Sequence, residues 1–149
     1  MERHPSERLS VIFYRVNRSF QYLMALHLRP FQITPEQWKV LKHLQEQDGL
    51  TPKMLTYMAD KDKTTITRII DSLLERGAVT KKMNLNDRRS YLIFLTDTGR
   101  ALIHEVQPIP DLVNKKVCRK FSEEQMVGLK EMLDLLQTQI SHETGTFSI

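Results

Sequence analysis

Apolar residues recur every three or four positions near the start of the chain: Leu9, Ile12, Phe13, Val16, Phe20, Leu23 and Met24, with His27 in register. This period lays one buried stripe along a long helix over residues 6–28. Arg29-Pro30-Phe31 stops it, because the residue before a proline is pushed out of the helical region. Thr34-Pro35-Glu36-Gln37 reads as a new helix start, with Thr34 as cap, Pro35 in the first turn and Gln37 closing a capping box. That helix carries Trp38, Leu41 and Leu44 inward and ends before Gly49. Thr51 and Pro52 open a short helix with Met54, Leu55 and Met58 inward. A third helix spans 62–76, with Ile66, Ile69, Ile70, Leu73 and Leu74 on one face and Gly77 placed to end it.

The period then changes. Residues 78–84 and 90–96 are rich in β-branched, aromatic and aliphatic side chains and flank a turn-forming stretch, Asn84-Leu85-Asn86-Asp87. This predicts a two-stranded hairpin. Thr96 caps a following helix with Asp97 in its positive first turn, and Pro108 and Pro110 must kink or interrupt that helix. Ser122 to Gln125 forms a second capping box. After it Met126, Leu129, Leu133, Leu136 and Ile140 follow a 3, 4, 3, 4 spacing, a heptad-like seam. Only the final residues, 142–149, read as frayed. The fold class is mainly α with a small β-hairpin. Two helices on a short turn followed by a hairpin make a winged helix-turn-helix.

The 149 residues fit one integrated domain and can bury a core without disulfides. Cys118 is the single cysteine, which rules out an intramolecular disulfide and fits a reducing compartment. No apolar signal core opens the chain, and the longest clean apolar run, Tyr91–Leu95, is far too short for a bilayer. A cytoplasmic protein without membrane contact is expected. The net charge of +4 is modest, but its placement is informative. Between residues 61 and 89, Lys61, Lys63, Arg68, Arg76, Lys81, Lys82, Arg88 and Arg89 face only Asp62, Asp71, Glu75 and Asp87. This stretch accounts for the whole excess, a local footprint for a polyanion.

The helix at 62–76 shows Lys63, Thr64, Thr65, Thr67 and Arg68 near its N-terminus, opposite the apolar face. In a helix-turn-helix that end of the second helix enters the major groove. Threonine can bond a base edge or phosphate, and arginine can pair with guanine O6 and N7. A solvated polar face explains a threonine cluster less well, since threonine is a poor helix former. The turn at 84–91 then acts as the wing. There Arg88 and Arg89 are positioned for a narrow, negative minor groove, and Asp87 makes sense if it pairs with one arginine and fixes it.

The block from Ile33 through Asp62–Val79 to Asn86–Ile103, with its run "DRR…LTDTGR", resembles the MarR family of bacterial transcription regulators. The resemblance implies a homodimer in which N-terminal residues 1–32 and C-terminal residues 101–149 supply dimerisation helices around a DNA-binding lobe at 33–100. It also implies Arg88 as the minor-groove residue, with Asp87 and Arg89 in support. Lys81 and Lys82 stand where the family often has arginine. Lysine contacts phosphate there but loses the bidentate fork. Two copies of the recognition helix would meet successive major grooves about 34–36 Å apart, so double-stranded DNA carrying a pseudo-palindromic operator is the expected partner.

The resemblance further implies a repressor relieved by a small aromatic or lipophilic anion. The effector-pocket candidates are Arg15, Arg18, Tyr22, Trp38 and His43. Cys118 reads as a small apolar residue, with redox sensing as the minor alternative. No enzyme is expected. His4, His27, His43, His104 and His142 are scattered, and no HExxH, CxxC or glycine-rich phosphate loop occurs. Asp60 and Asp62 lack further metal ligands, so neither metal nor cofactor is expected. The competing function is a winged helix that binds protein or RNA and ignores duplex sequence.

Overall fold

The computed structural model describes residues 8–145. Residues 6 and 7 of the expected first helix, His4 and the last four residues of the expected frayed tail lie outside the described residues. The chain divides between Asp111 and Leu112 into two compact units.

In the first unit, α1 spans Leu9–Leu28; Arg8 is extended and so marks its start. A short 3-10 turn at Arg29–Phe31 follows, closed by Gln32 in the left-handed region at φ 55. The stripe along α1 is not buried as the periodicity suggested. Val16 is 53% exposed, and Leu9 and Phe13 are also exposed. Only Leu28 is fully buried, with Met24 packed against the core, because the rest of this unit meets α1 only at its C-terminal end. The amphipathic face is real, but nothing in this unit covers its first turns.

Helix α2 (Pro35–Glu46) starts at the expected capping box. Thr34 Oγ1 accepts from Gln37 N at 3.1 Å, and Gln37 Oε1 accepts from Thr34 N at 2.9 Å. Helix α3 (Pro52–Ala59) is capped by Thr51, and α4 (Lys63–Glu75) by Asp62. Leu41, Leu44, Leu55, Ile66, Ile70 and Leu73 close the core of these three helices. Met54 departs from expectation: it is exposed, and Ala59 is buried in α3 beside Leu55. Gly77 adopts φ 70 and ends α4 with Gly77 N donating to Leu74 O and Ala78 N to Leu73 O, both at 2.9 Å. A left-handed residue there is easiest for glycine.

Strands β1 (Val79–Met83) and β2 (Tyr91–Leu95) pair antiparallel, with Val79 opposite Leu95 and Met83 opposite Tyr91. A single bridge also ties Leu50 to Ile93, so the α2–α3 connection holds the hairpin beside the helix-turn-helix. Helix α5 (Asp97–Val106) is capped by Thr96. Of the two expected outcomes, the prolines interrupt that helix rather than kink it: it ends at Val106, and Pro108 opens a separate α6 (Pro108–Cys118). Proline suits a first helical turn, where its missing N–H has no partner to lose. The described residues therefore hold one helix more than the pattern predicted.

In the second unit, α7 (Glu123–Thr144) begins at the expected Ser122–Gln125 capping box. Residues 142–144, expected to fray, continue the helix, and Gly145 ends it at φ 65. No residue of α7 is buried. Leu129, Leu133 and Ile140 of the seam are exposed, as is Met132 beside it at 64%.

Candidate nucleic-acid interface

Helix α4 divides into two chemically distinct halves. Its buried face is Ile66, Ile69, Ile70 and Leu73. Lys63, Thr64, Thr67 and Arg68 lie exposed on the first two turns, and Asp71 and Glu75 lie exposed further along. Within the helix the exposed carboxylates are confined to the second half, and the one carboxylate at its start, the Asp62 cap, is bonded to Thr65. The N-terminal N–H groups and the helix dipole favour negative charge at the same end.

Asp62 prepares that end. Its Oδ1 accepts from Thr65 N at 2.8 Å and its Oδ2 from Thr65 Oγ1 at 2.6 Å. The Thr65 hydroxyl bond, then the Thr65 N–H, hold the Asp62 carboxyl below its ordinary value near 3.8. A carboxyl with a depressed pKa contributes stability that is fully present above its unfolded value and lost as pH falls through the folded one. Urea unfolding at pH 7 and pH 3 should therefore show a stability loss that Asp62→Asn reduces, since asparagine still caps but does not titrate. An unchanged loss in the variant would remove Asp62 from the acid response.

The threonines separate as well. Thr65 is half-buried and bound to the cap, and Thr67 donates to Lys63 O at 2.8 Å. Thr64 is exposed with no side-chain hydrogen bond among the described residues. The unfavourable propensity of Thr65 thus has a local explanation in capping.

The wing carries its cations on a fixed turn. Arg89 N donates to Asp87 Oδ1 at 3.0 Å, and Arg89 Nε lies 3.7 Å from the same oxygen. The Arg89 side chain nevertheless stays 96% exposed. Arg88 is exposed, with no ion pair among the described residues. Lys81 and Lys82 fall on opposite faces of the hairpin. Lys81 shares a face with Val79, Ile93 and Leu95, whereas Lys82 lies opposite Leu92 on the other face. Lys81 Nζ sits 5.2 Å from the Tyr91 ring centroid and Lys82 Nζ 4.9 Å from that of Phe94, both within cation–π range.

These surfaces have close counterparts. The MarR family profile matches residues 33–91, from the start of α2 through the wing. The multiple antibiotic resistance protein MarR of Salmonella typhimurium is 28% identical over 126 residues, covering 84% of this chain and 88% of that protein. Wild-type apo MarR from E. coli superposes with a TM-score of 0.78 at 26% identity, over 87% of this chain and 97% of that one. A mutant E. coli MarR complexed with operator DNA gives the same TM-score and identity, over 86% and 92%. Over its winged-helix lobe, residues 33–91, the chain is similar to members of the MarR family. Its fold is that of the MarR winged-helix structures.

Several residues that position this site carry no obvious signal in the sequence. Arg76, counted with the basic footprint, is a clamp: its guanidinium donates to the carbonyls of Gln32 (2.6 Å) and Phe31 (2.5 Å), holding the left-handed Gln32 against α4. Arg76→Met should therefore cost about 2 kcal/mol in chemical denaturation, from two charge-assisted bonds and the carbonyls left behind. The salt dependence of DNA binding should not change, as it would if Arg76 touched phosphate. Asp48 Oδ1 accepts from Leu95 N at 2.8 Å and Gly49 N at 3.2 Å, and Arg100 bonds Leu95 O (3.2 Å) and Asp97 (2.8 Å). Together they pin the base of β2 between the end of α2 and the first turn of α5. Arg100 falls within the LTDTGR run, but Arg76 and Asp48 give no sequence sign of partners more than forty residues away.

Trp38 is buried in the core with Lys42 Nζ 5.9 Å from its ring centroid, whereas Arg15, Arg18 and Tyr22 lie exposed along α1 at i, i+3 and i+7. His43 is half-buried, and its Nε2 is buried without a hydrogen-bond partner. An open cleft of about 320 Å³ between α2, β2 and α5 is lined by Leu44, Asp48, Leu95, Arg100, Ile103 and His104, among others, and by none of these five. Cys118 is half-buried, with Sγ 3.6 Å from Asn114 Oδ1. Among the described residues no helix is long and apolar enough to cross a membrane.

Proposed function

We propose that this chain is a MarR-family transcription regulator, a homodimer that reads a pseudo-palindromic operator and represses transcription until a small aromatic or lipophilic anion binds. Residues 33–100 act as the DNA-binding lobe. Lys63, Thr64, Thr67 and Arg68 face the major groove, with Thr65 setting the helix cap beside them. Residues 84–91 bring Arg88 and Arg89 to the minor groove, and Lys81 and Lys82 meet phosphate from opposite faces of the wing.

One observation carries the reading: the cationic half of α4 and the arginine-tipped hairpin both stand exposed on elements that one core holds together. Asp87 Oδ1 accepts from Arg89 N and lies 3.7 Å from Arg89 Nε, so Arg89 is the arginine whose backbone the turn fixes while its side chain stays exposed for a groove. Arg89 is therefore proposed ahead of Arg88, with Arg88 as the second cation.

Dimerisation is supported by the uncovered apolar faces of α1 and of α7. Long helices with exposed apolar stripes are costly in water and are relieved by a second copy in a symmetric interface. For the effector, the aligned Arg15, Arg18 and Tyr22 on α1 offer cations and a ring to an aromatic acid. The buried His43 Nε2 has no hydrogen-bond partner, and a polar group of a ligand would supply one. An effector shifts DNA affinity only by its preference for one arrangement of the two lobes.

Selection of bound sites from a random duplex library, with molar mass measured in parallel, tests this. A two-fold symmetric motif bound by a species of twice the chain mass is expected, and benzoate should lower its affinity. Monomeric protein, or enrichment of no motif at low salt, would overturn the proposal.

A further inference from the structure

The wing tip is held by its own hydrogen bonds. Asn84 donates from its side-chain amide to Ser90 Oγ at 2.9 Å and accepts at Oδ1 from Asn86 N at 3.0 Å. Asp87 N donates to Asn84 O at 3.2 Å, and Ser90 Oγ donates to Asp87 O at 3.2 Å. None of these bonds uses the side chain of Leu85. That residue occupies the second position of the Asn84–Asp87 turn and is 89% exposed, the most exposed large hydrophobic side chain among the described residues. A polar residue would serve such a turn equally well. A lone exposed leucine on an ordinary surface needs no explanation. This one projects from a rigid platform three and four residues before the two wing arginines.

We infer that Leu85 is an apolar contact between the wing and duplex DNA, packing on the deoxyribose C–H surface of the minor-groove wall when Arg88 and Arg89 enter the groove. The inference rests on the DNA-binding reading above. Sugar edges are the apolar surface that a minor groove offers, and aliphatic side chains on groove-entering elements exploit it. A turn already ordered loses little entropy on insertion.

Salt dependence separates this contact from a cationic one. Each lost phosphate contact lowers the slope of log K against log salt by about 0.9, whereas an apolar contact releases no counterion. The affinity of the full chain for its selected operator duplex should be measured across salt concentrations for the parent, Leu85→Asn, Leu85→Met and Arg89→Ala. Leu85→Asn suits the turn and should unfold at the parent's temperature. It should bind about tenfold more weakly with an unchanged slope. Leu85→Met should bind like the parent, and Arg89→Ala should lose affinity and slope together. Parent-like binding by Leu85→Asn, or a loss accompanied by a smaller slope, would overturn the inference while leaving the DNA-binding reading intact. A parent that binds no duplex would overturn that reading, and the inference with it.

Discussion

Replacing Arg88 and Arg89 together with alanine is expected to weaken operator binding about a hundredfold and to lower the salt slope by about 1.8, the release expected for two lost cations. The affinity loss corresponds to about 2.7 kcal/mol. The two singles should differ. Arg89 N is bonded to Asp87 Oδ1 and its Nε lies 3.7 Å from the same oxygen, so its place on the turn is set before DNA arrives. Arg88 has no such anchor among the described residues and must give up more rotamer freedom to reach the same groove. Arg89→Ala should therefore cost more specific affinity than Arg88→Ala, although each removes one charge. Fluorescence anisotropy on the selected operator and on an unrelated duplex decides it. Equal losses on both duplexes would make the arginines simple phosphate contacts without a role in groove reading. Asp87→Ala adds an internal check: removing a negative charge from the tip should raise binding to the unrelated duplex, while loss of the anchor lowers the ratio of specific to non-specific affinity.

Gly99→Ala is expected to destabilise the fold by about 3 kcal/mol and to lower Tm by about 6–12 °C. Gly99 lies buried in the first turn of α5, where an added Cβ would stand 2.0 Å from Ala78 O. Ala78 O cannot simply retreat, because it accepts from Thr96 N at 3.1 Å, and the Thr96 hydroxyl holds the neighbouring Gly77 O at 2.5 Å. The methyl group must push α5 away from the base of β1 or break those bonds. Either change reaches the wing, since β2 leads directly into the Thr96 cap. Calorimetry should show the shift, and operator affinity should fall with it. A variant with the parent's Tm would mean that α5 can move without cost and that the close approach is not required.

The helices were legible along the chain because their signals are local. Thr34, Thr51, Thr96 and Ser122 all cap as their spacing to the next turn predicts. Ile66, Ile69, Ile70 and Leu73 of α4 are buried as their period requires, with Leu74 half-buried at the edge, and the change of period at Ala78 marks the hairpin. The same local logic failed where a signal had two physical outcomes. Pro108 was compatible with a kinked helix or with a new first turn, and only the position of the preceding helix end selects the second. The stripes of α1 and α7 also follow a helical period, yet much of each remains exposed. Periodicity reports that a face is apolar, not what covers it.

At the candidate interface, residue type and order alone identified the cationic start of α4 and, in the wing, the arginine pair with the carboxylate just before it, because the members of each group lie within a few residues of one another. Which arginine the carboxylate holds, that Lys81 and Lys82 face opposite ways, that Arg76 is committed to the carbonyls of Phe31 and Gln32, and why position 99 must be glycine were decided by the tertiary structure. Arg76 and its acceptors are more than forty positions apart, and Gly99 meets Ala78 only because α5 returns across the base of the hairpin. A side chain's chemistry is written at its own position, but its partner is chosen by where the folded chain brings the rest of the molecule.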